Sequence, residues 1–256
     1  SMSFVDGKLV VNSTNKLSYF TKEGKWISER KAFANLVLYQ VKDNFVAVGP
    51  SIDAEKKFRI SFRLFSHDLK KLKTLYHSNI SVNPQDDYIL PLSALTGNPS
   101  YKGKVFVVAS NEDFVIDIFD AKGTKIRRIE KKEKKRVFTA KDQADALDWF
   151  KNRSQFKNFF TQIKNNIKFK KHFPAIRDIQ PADDKIHVLT YKRKGELWEM
   201  IVLDMKGKEL KRLFVPLDEY LPFSYYAILY SIENGKVYSL VEDPDEEVWN
   251  LKITSI

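Results

Sequence analysis

Cysteine is absent from this chain of 256 residues. Its absence excludes disulfide bonds, thiolate metal sites and a cysteine nucleophile, and it is compatible with any compartment. Nine glycines leave little room for the glycine-rich loops that cradle phosphate groups. The sequence has no GxSxG motif and no Ser-His-Asp pattern, so the common hydrolase signatures are missing. No uninterrupted apolar run reaches the roughly 18 residues that a membrane helix needs.

The composition is that of a globular protein whose charge is unevenly placed. Hydrophobic residues make up 43% of the chain and charged residues 30%, which is typical of a folded domain rather than a disordered one. The formal net charge is +11. Between Lys125 and His172 stand 16 Lys and Arg residues against five Asp and Glu residues, so this stretch accounts for the whole net charge. Basicity is therefore a local feature of the chain.

One strand-turn-strand pattern recurs along the sequence. It is clearest in residues 113–129, where the apolar run Val115–Phe119 is followed by the turn Asp120–Gly123 and by a second, more basic run. β-branched and aromatic residues on both sides of an Asp/Gly turn predict a β-hairpin. The predicted hairpin turns lie near Gly24, Asp68, Gly123 and Gly207.

Five segments begin with a turn residue, usually followed by lysine, and continue as a short apolar strand. Four of them precede one of the hairpins, at a spacing of roughly 40–50 residues once one insertion is discounted, and that period is typical of β-propeller blades. We therefore predict an all-β propeller with five recognisable blade-like repeats in a single domain, residues 1–256. The first unit begins at its second strand and the last stops after its third, so we expect a fragment of a longer protein. The five segments are Asp6–Val11, Asp43–Val48, Lys102–Val108, Asp184–Thr190 and Asn234–Leu240.

A basic helical insertion is predicted at about 131–172, between the third and fourth units. Thr139 and Asp142 have the spacing of a helix-capping pair. Two helices are predicted to follow, near 140–151 and 154–168. The second helix would carry one apolar stripe, made of Phe156, Phe159, Phe160, Ile163 and Ile167.

The segments FPAIRDIQPADDKIHVLTYKR (Phe173–Arg193) and IVLDMKGKELKRLFVP (Ile201–Pro216) resemble the bacterial six-bladed β-propeller proteins related to NHL-repeat proteins. In that family a helical insertion precedes an aromatic-Pro segment, a DD-K-I-hydrophobic strand and a Thr-Tyr pair. The resemblance implies a ring of six blades and favours an extracytoplasmic location, periplasmic or at the cell surface. It implies no particular activity.

The leading functional hypothesis is a non-enzymatic binding or scaffold propeller without a cofactor. It would bind an unknown protein or small-molecule ligand at a blade face or at the channel mouth. This hypothesis follows from clear blade repeats in a chain that lacks catalytic motifs.

The alternative is a divalent-metal-dependent hydrolase or lactonase of the gluconolactonase-like propeller type. Such propellers hold the ion with Glu, Asn and Asp side chains from different blades, and hard oxygen ligands suit it. Asx residues at strand entrances more often cap turns, and none of the four histidines stands in a metal-binding spacing. The simplest interpretation of His187, which falls within a strand, is packing between blades. The candidate metal ligands are Asp43, Asp178, Asp183, Asp184 and Asn234.

A third hypothesis is that the insertion binds an anionic polymer or a membrane surface through lysines and aromatic rings. The simpler interpretation is that the aromatic stripe packs on the propeller while the lysines are solvated. Nucleic acid is disfavoured as a partner because the chain outside the insertion is neutral, whereas RNA-binding NHL propellers use a basic propeller face. The candidate binding residues are Lys131, Lys132, Lys134, Lys135, Arg136, Arg153, Phe156, Lys157 and Phe160.

Overall fold

The protein was studied as a computed structural model. The structure describes residues 2–5, 7–13, 15–32, 36–52, 58–78, 87–90, 100–110, 112–152, 154–217, 230–243 and 248–256.

Five antiparallel sheets follow one another along the described part of the chain. The first comprises β1 (Met2–Val5), β2 (Lys8–Ser13), β3 (Lys16–Thr21) and β4 (Trp26–Lys31), and the second comprises β5 (Val37–Val41), β6 (Asn44–Ile52), β7 (Phe58–Phe65) and β8 (Lys71–His77). After β9 (Tyr88–Leu90), the third comprises β10 (Ser100–Tyr101), β11 (Lys104–Val108), β12 (Phe114–Asp120) and β13 (Lys125–Lys131). After α1 (Ala140–Asn152), α2 (Ser154–Ile163) and β14 (Ile167–Phe169), the fourth comprises β15 (Asp178–Ala182), β16 (Lys185–Lys194), β17 (Leu197–Asp204) and β18 (Glu209–Pro216), and the fifth comprises β19 (Tyr230–Glu233), β20 (Lys236–Asp243) and β21 (Val248–Ser255).

Each of the five sheets is a meander whose strands are neighbours both in sequence and in space. Burial falls toward the last strand. In the fourth sheet, β17 is buried at six consecutive positions, whereas the final strand β18 is mostly exposed. The final strands β4, β13 and β21 are likewise exposed along most of their length. In these four sheets the last strand is thus an exposed edge strand.

The chain folds into two compact units, each with its own apolar core. The first consists of Ser1–Val82, Pro99–Ala109 and Asp117–Arg128, and the second of Asn83–Asn98, Ser110–Ile116 and Ile129–Ile256. Within the first unit, one cluster joins the first and second sheets and another joins the second and third. Within the second unit, a cluster around Trp198 and Met200 joins the fourth and fifth sheets. Meander sheets packed face to face in sequence order form a β-propeller, so the predicted fold class is confirmed.

Four hairpin turns share one hydrogen-bond pattern. In each, the side-chain oxygen of the first residue accepts the backbone N–H of the residue four positions later, as Asp204 Oδ1 accepts from Lys208 at 2.9 Å. The other three first residues are Thr21, Ser66 and Asp120. The fourth residue of each turn has a positive φ, from +60° to +95°. Glycine supplies that conformation without steric cost in three of the turns, and Leu69 occupies it in the second sheet. The predicted turn positions are confirmed.

Replacing Gly207 by alanine is expected to destabilise the fold by about 2–3 kcal/mol, because a positive φ and overpacking act together. Gly207 has φ +95°, and an added Cβ would lie 2.8 Å from Cγ2 of the buried Ile129. The matched control is Gly24→Ala, at φ +83° with no atom within 4 Å of the added Cβ. It should cost only about 1 kcal/mol. Urea denaturation compares the two variants, and equal losses would contradict the steric part of the prediction.

Two features of the fold differ from the prediction. The first unit does not begin at its second strand, because Met2–Val5 forms β1 and pairs with β2. The second predicted helix is shorter than expected: α2 ends at Ile163, followed by a turn and by the strand β14. Ile167 therefore lies outside the helical stripe. It pairs in parallel register with Tyr88 of β9. This strand pairing takes the place of a last helical turn.

The capping pair is as predicted. The Thr139 backbone N–H donates to Asp142 Oδ2 at 2.8 Å, and Thr139 Oγ1 accepts the Asp142 backbone N–H at 3.3 Å. These reciprocal bonds satisfy groups that the first helical turn leaves unpaired. Neither α1 nor α2, the two helices of the described chain, is long and apolar enough to cross a membrane.

Candidate anion-binding groove

The stem of the insertion, residues 131–137, runs from the end of β13 toward α1. It is joined to the fourth sheet by a network of ion pairs. Arg212 of β18 is at the centre of this network, because its guanidinium contacts Glu133 at 2.9 Å, Glu199 at 3.1 Å and Glu209 at 3.1 Å. Lys192 of β16 contacts two of the same carboxylates, Glu133 at 3.4 Å and Glu199 at 3.3 Å.

Charge-assisted contacts hold the carboxylates of this network in their ionised form. Hydrogen bonds from Arg212 and then from Lys131 lower the pKa of Glu209 to about 2. Burial acts to raise the pKa of Glu133, but Arg212 and Lys192 together keep it below its usual value. The same carboxylates raise the pKa of Arg212. The stem is therefore fixed to the sheet by groups that stay charged at neutral pH.

Acid is expected to remove part of this stabilisation. Because the pKa of Glu209 is about 2 in the folded chain and roughly 4.3 in an unfolded one, its contribution is fully present above about pH 4.5. It is lost as the pH falls toward 2. Glu209→Gln should therefore reduce the fall in unfolding free energy between pH 5.5 and pH 3 by about 1 kcal/mol, a value that allows for solvent screening. Urea titrations at both pH values test this, and identical pH profiles for the two proteins would contradict it.

An open cavity of about 530 Å³ lies beside this network, and we call it the stem groove. Val137, which is 51% exposed, is the apolar member of its lining. The other lining side chains are cationic: Lys134, Lys135, Arg136, Lys192 and Arg193. The stem supplies three of these cations, and the end of β16 supplies two. The groove therefore combines parts of the chain that are about 60 residues apart.

Most cations of the groove have protein partners. Lys135 contacts Asp113 at 2.7 Å, and Arg136 pairs with Asp142, the capping residue of α1. Lys134 is exposed and makes no ion pair with any described residue. Lys134 is therefore the cation of the groove that is most available to a ligand.

The two arginines of the groove lie over aromatic rings. The Arg136 Cζ is 4.4 Å from the centroid of Phe173, and the Arg193 Cζ is 4.7 Å from the centroid of Trp198. Both rings are buried, Phe173 at 2% exposure and Trp198 at 0%. A cation held over a ring face gains cation–π attraction and loses side-chain freedom. The rings therefore restrict the position of each guanidinium before any ligand arrives.

The predicted binding residues are only partly brought together. Lys134, Lys135 and Arg136 line the groove, whereas Lys131 is bound to Glu209 and Lys132 is exposed outside the lining. Of the residues on the helices, Lys157 is exposed and Phe160 is half-buried in α2. Arg153 lies outside the described residues, and Phe156 is described only as a position in α2.

The aromatic rings of the insertion pack on one another. Phe159 of α2 lies edge-on to Tyr88 at 5.4 Å, and Phe150 of α1 meets the same tyrosine at 6.0 Å. Ile163 is completely buried. Phe159 and Phe150 thus pack on Tyr88 of β9, whereas the simpler interpretation predicted that the aromatic stripe packs on the propeller.

The candidate metal ligands are placed mainly in turns. Asp183 accepts the backbone N–H groups of Asn234 at 3.0 Å and of Gly235 at 2.7 Å, which lowers its pKa. Asp43 is in an exposed turn, and Asp184 has a positive φ of +55° in its own turn. Asp178 is buried beside Tyr230, whose pKa is raised well above its usual value, first by burial. Within the described chain, no three His, Asp or Glu residues are grouped closely enough to hold a metal ion.

His187 is buried on β16 at 2% exposure, and its Nδ1 lies 3.2 Å from the carbonyl oxygen of Gln180 on β15. Burial lowers its pKa, so the ring is neutral at pH 7 and Nδ1–H donates to that carbonyl. This is the packed position that the sequence predicted.

Sequence reasoning missed three residues of the site: Lys192, Arg193 and Arg212. They belong to the two segments that carry the family resemblance, Phe173–Arg193 and Ile201–Pro216, and no binding role was assigned to them. The Thr190-Tyr191 pair followed by Lys192, Arg193 and Lys194 was the available signal, because three cations together at the end of a strand are unusual for a buried sheet.

Comparison with known protein-family models finds no match, and no curated protein sequence matches either. Among solved structures, the chain is similar to the WD40 domain of Pan2 from Neurospora crassa, with 9% identity, a TM-score of 0.41 and coverage of 98% of this chain and 59% of that one. It is also similar to the β-propeller domain of the Trilobed protease from Pyrococcus furiosus, with 13% identity, a TM-score of 0.41 and coverage of 97% and 78%. A protein of unknown function from Bacteroides caccae has 10% identity and a TM-score of 0.37, with coverage of 91% and 66%. The chain thus spans only about three fifths of the Pan2 domain structure and two thirds of the Bacteroides caccae protein.

Proposed function

We propose that this chain is a non-enzymatic binding β-propeller and that the stem groove is where it takes an anionic ligand. The observation that carries the proposal is the lining, in which five cations surround one open cavity of about 530 Å³. Lys135, Arg136 and Lys192 have carboxylate partners, but the lining that the structure describes contains no carboxylate. The groove therefore presents positive groups and N–H donors to an entering anion.

The chemistry of the lining supports binding rather than reaction. Its described side chains are lysine, arginine and valine. The groups that most often act as general bases or nucleophiles, namely carboxylates, imidazoles, hydroxyls and thiols, do not line the described part of the groove. Ammonium and guanidinium groups supply attraction and N–H donors, which are the requirements for holding an anion.

We further propose that the fold is a single propeller domain of the six-bladed type related to NHL-repeat proteins. The position of the two helices, between the third and fourth sheets, supports this. So does the segment Phe173–Arg193, which leads into and forms the first half of the fourth sheet. An experimental structure tests the blade number: a sixth sheet completing the ring supports the proposal, and a ring closed by five sheets overturns it.

The binding proposal is tested by titrating the protein with sodium pyrophosphate in low-salt buffer, with isothermal calorimetry as the measurement. We expect saturable binding that weakens as salt is added. The double variant Lys134→Gln, Lys135→Gln should bind roughly tenfold more weakly, because two cationic contacts are lost.

Lys157→Gln in α2 is the matched control, since it removes an exposed cation of the insertion outside the groove. It should bind as the unaltered protein does. If Lys157→Gln loses as much pyrophosphate affinity as the groove variant, the anion binds at the helices and not in the groove. Turnover of the probe, or no binding at all, would overturn the proposal.

A further inference from the structure

Resting on the anion-binding function proposed above, we propose that the stem groove selects a phosphoryl group of a small soluble ligand and that Arg136 and Arg193 are its specificity-determining residues. Both arginines are supported by aromatic rings, a feature that charge alone does not require.

The two arginines are the ends of one continuous stack of side chains. The Phe173 ring lies under Arg136 and stacks on Tyr191, with centroids 4.8 Å apart and planes 25° apart. The Arg177 Cζ is 5.2 Å from the Tyr191 centroid and 4.5 Å from the Trp198 centroid. Trp198 in turn lies under Arg193. The four inner members of the stack are all at most 6% exposed.

This stack holds two planar guanidinium groups, those of Arg136 and Arg193, in fixed positions in the groove lining. A buried stack is held in place by its packing, so the guanidiniums at its two ends are restricted by the same support. Arg136 donates from Nη2 to Asp142, and Arg193 donates from Nη2 to the carbonyl oxygen of Glu196 at 3.4 Å. A guanidinium has five N–H donors in a fixed planar arrangement. Such a group can hold an oxyanion through two parallel hydrogen bonds, which a lysine cannot do.

Charge favours a phosphoryl group over a carboxylate. A phosphate monoester carries about −1.5 to −2 charges at pH 7 and presents three acceptor oxygens, whereas a carboxylate has one charge and two oxygens. The groove presents two arginines together with Lys134, which makes no ion pair with any residue that the structure describes, so three cationic groups can meet three oxygens. With Val137 as the apolar part of the lining, the ligand should be compact and polar.

The experiment compares pyrophosphate with succinate, a dicarboxylate, by calorimetry at equal ionic strength. The test variant is Arg136→Lys, Arg193→Lys, which keeps both positive charges and removes both planar guanidinium groups. The unaltered protein should bind pyrophosphate at least tenfold more tightly than succinate. The double variant should lose roughly tenfold in pyrophosphate affinity, the effect of about one charged hydrogen bond, with an unchanged salt dependence. The single variants are measured separately, so that a folding defect in the double variant leaves the comparison intact.

The outcomes separate this inference from the function on which it rests. Equal affinities for pyrophosphate and succinate would overturn phosphoryl selection but leave anion binding. The Arg136→Lys and Arg193→Lys variants could bind pyrophosphate normally while Lys134→Gln, Lys135→Gln binds it more weakly. That result would show attraction by charge alone and would overturn the role of the arginines. No binding of either anion by the unaltered protein would overturn both proposals. Lys206→Gln, in an exposed turn away from the groove lining, serves as the control and should bind normally.

Discussion

Replacing Trp198 by alanine is expected to lower the free energy of unfolding by about 3–5 kcal/mol, the largest loss expected from a single change in this chain. The indole is completely buried and lies between the guanidiniums of Arg177 and Arg193, at 4.5 and 4.7 Å. Its Nε1–H donates to the carbonyl oxygen of Leu217 at 2.9 Å. Alanine would leave a cavity, remove two cation–π contacts and leave that carbonyl without its donor.

Trp249→Ala provides the matched control, because Trp249 is 46% exposed on β21. Its removal should cost much less, about 1 kcal/mol or below. Trp198→Phe separates the two parts of the effect: it retains most of the volume and should lose about 1–3 kcal/mol for the unsatisfied carbonyl and the smaller ring. Urea denaturation followed by circular dichroism measures all three variants. Similar losses for Trp198→Ala and Trp249→Ala would contradict the role given to burial at Trp198.

Local signals were enough to predict most of the propeller. Turn residues such as Asp204 and Gly207 have conformational and hydrogen-bonding preferences that act within five residues, so their positions could be assigned from the sequence. The predicted buried second strands begin where expected, as β16 does at Lys185. What failed were features without a local signal: β1 is four residues long, and the pairing of β9 with β14 joins segments almost 80 residues apart.

The candidate site was less predictable than the fold for the same reason. The sequence located the basic stretch 131–136, but it did not show which charges would be neutralised. Glu133 and Arg212 are separated by 79 residues, and their ion pair depends on how the stem meets β18. The arginine–aromatic stack likewise joins side chains from several elements that only tertiary packing brings together. Composition therefore indicated where the basic stretch lies, whereas the partners of its charges depend on long-range contacts.

Replacing Arg212 by methionine should destabilise the fold by about 2–4 kcal/mol. Arg212 contacts three carboxylates, and two of them, Glu199 and Glu133, have side chains only 6% and 10% exposed. Removing the cation from a buried ion pair leaves an uncompensated charge, which commonly costs about 3–5 kcal/mol. The value expected here is lower because Arg212 itself is 32% exposed and because Lys192 still contacts both carboxylates. Methionine retains much of the apolar stem of arginine, so the loss reports mainly on charge. Urea denaturation at pH 7 measures it.

A second substitution shows whether the uncompensated charge is the cause. Glu199→Gln in the Arg212→Met background removes one buried negative charge, and the amide can still accept the hydrogen bond that the Thr190 hydroxyl now donates to Glu199 at 2.9 Å. If repulsion and desolvation of the carboxylates dominate, the double variant should be more stable than Arg212→Met alone by about 1–2 kcal/mol. Arg127→Met, at an exposed position of β13, should change stability by less than about 0.5 kcal/mol. A double variant less stable than the single one would mean that Arg212 acts through direct packing and hydrogen bonds rather than by neutralising the acidic side of the stem.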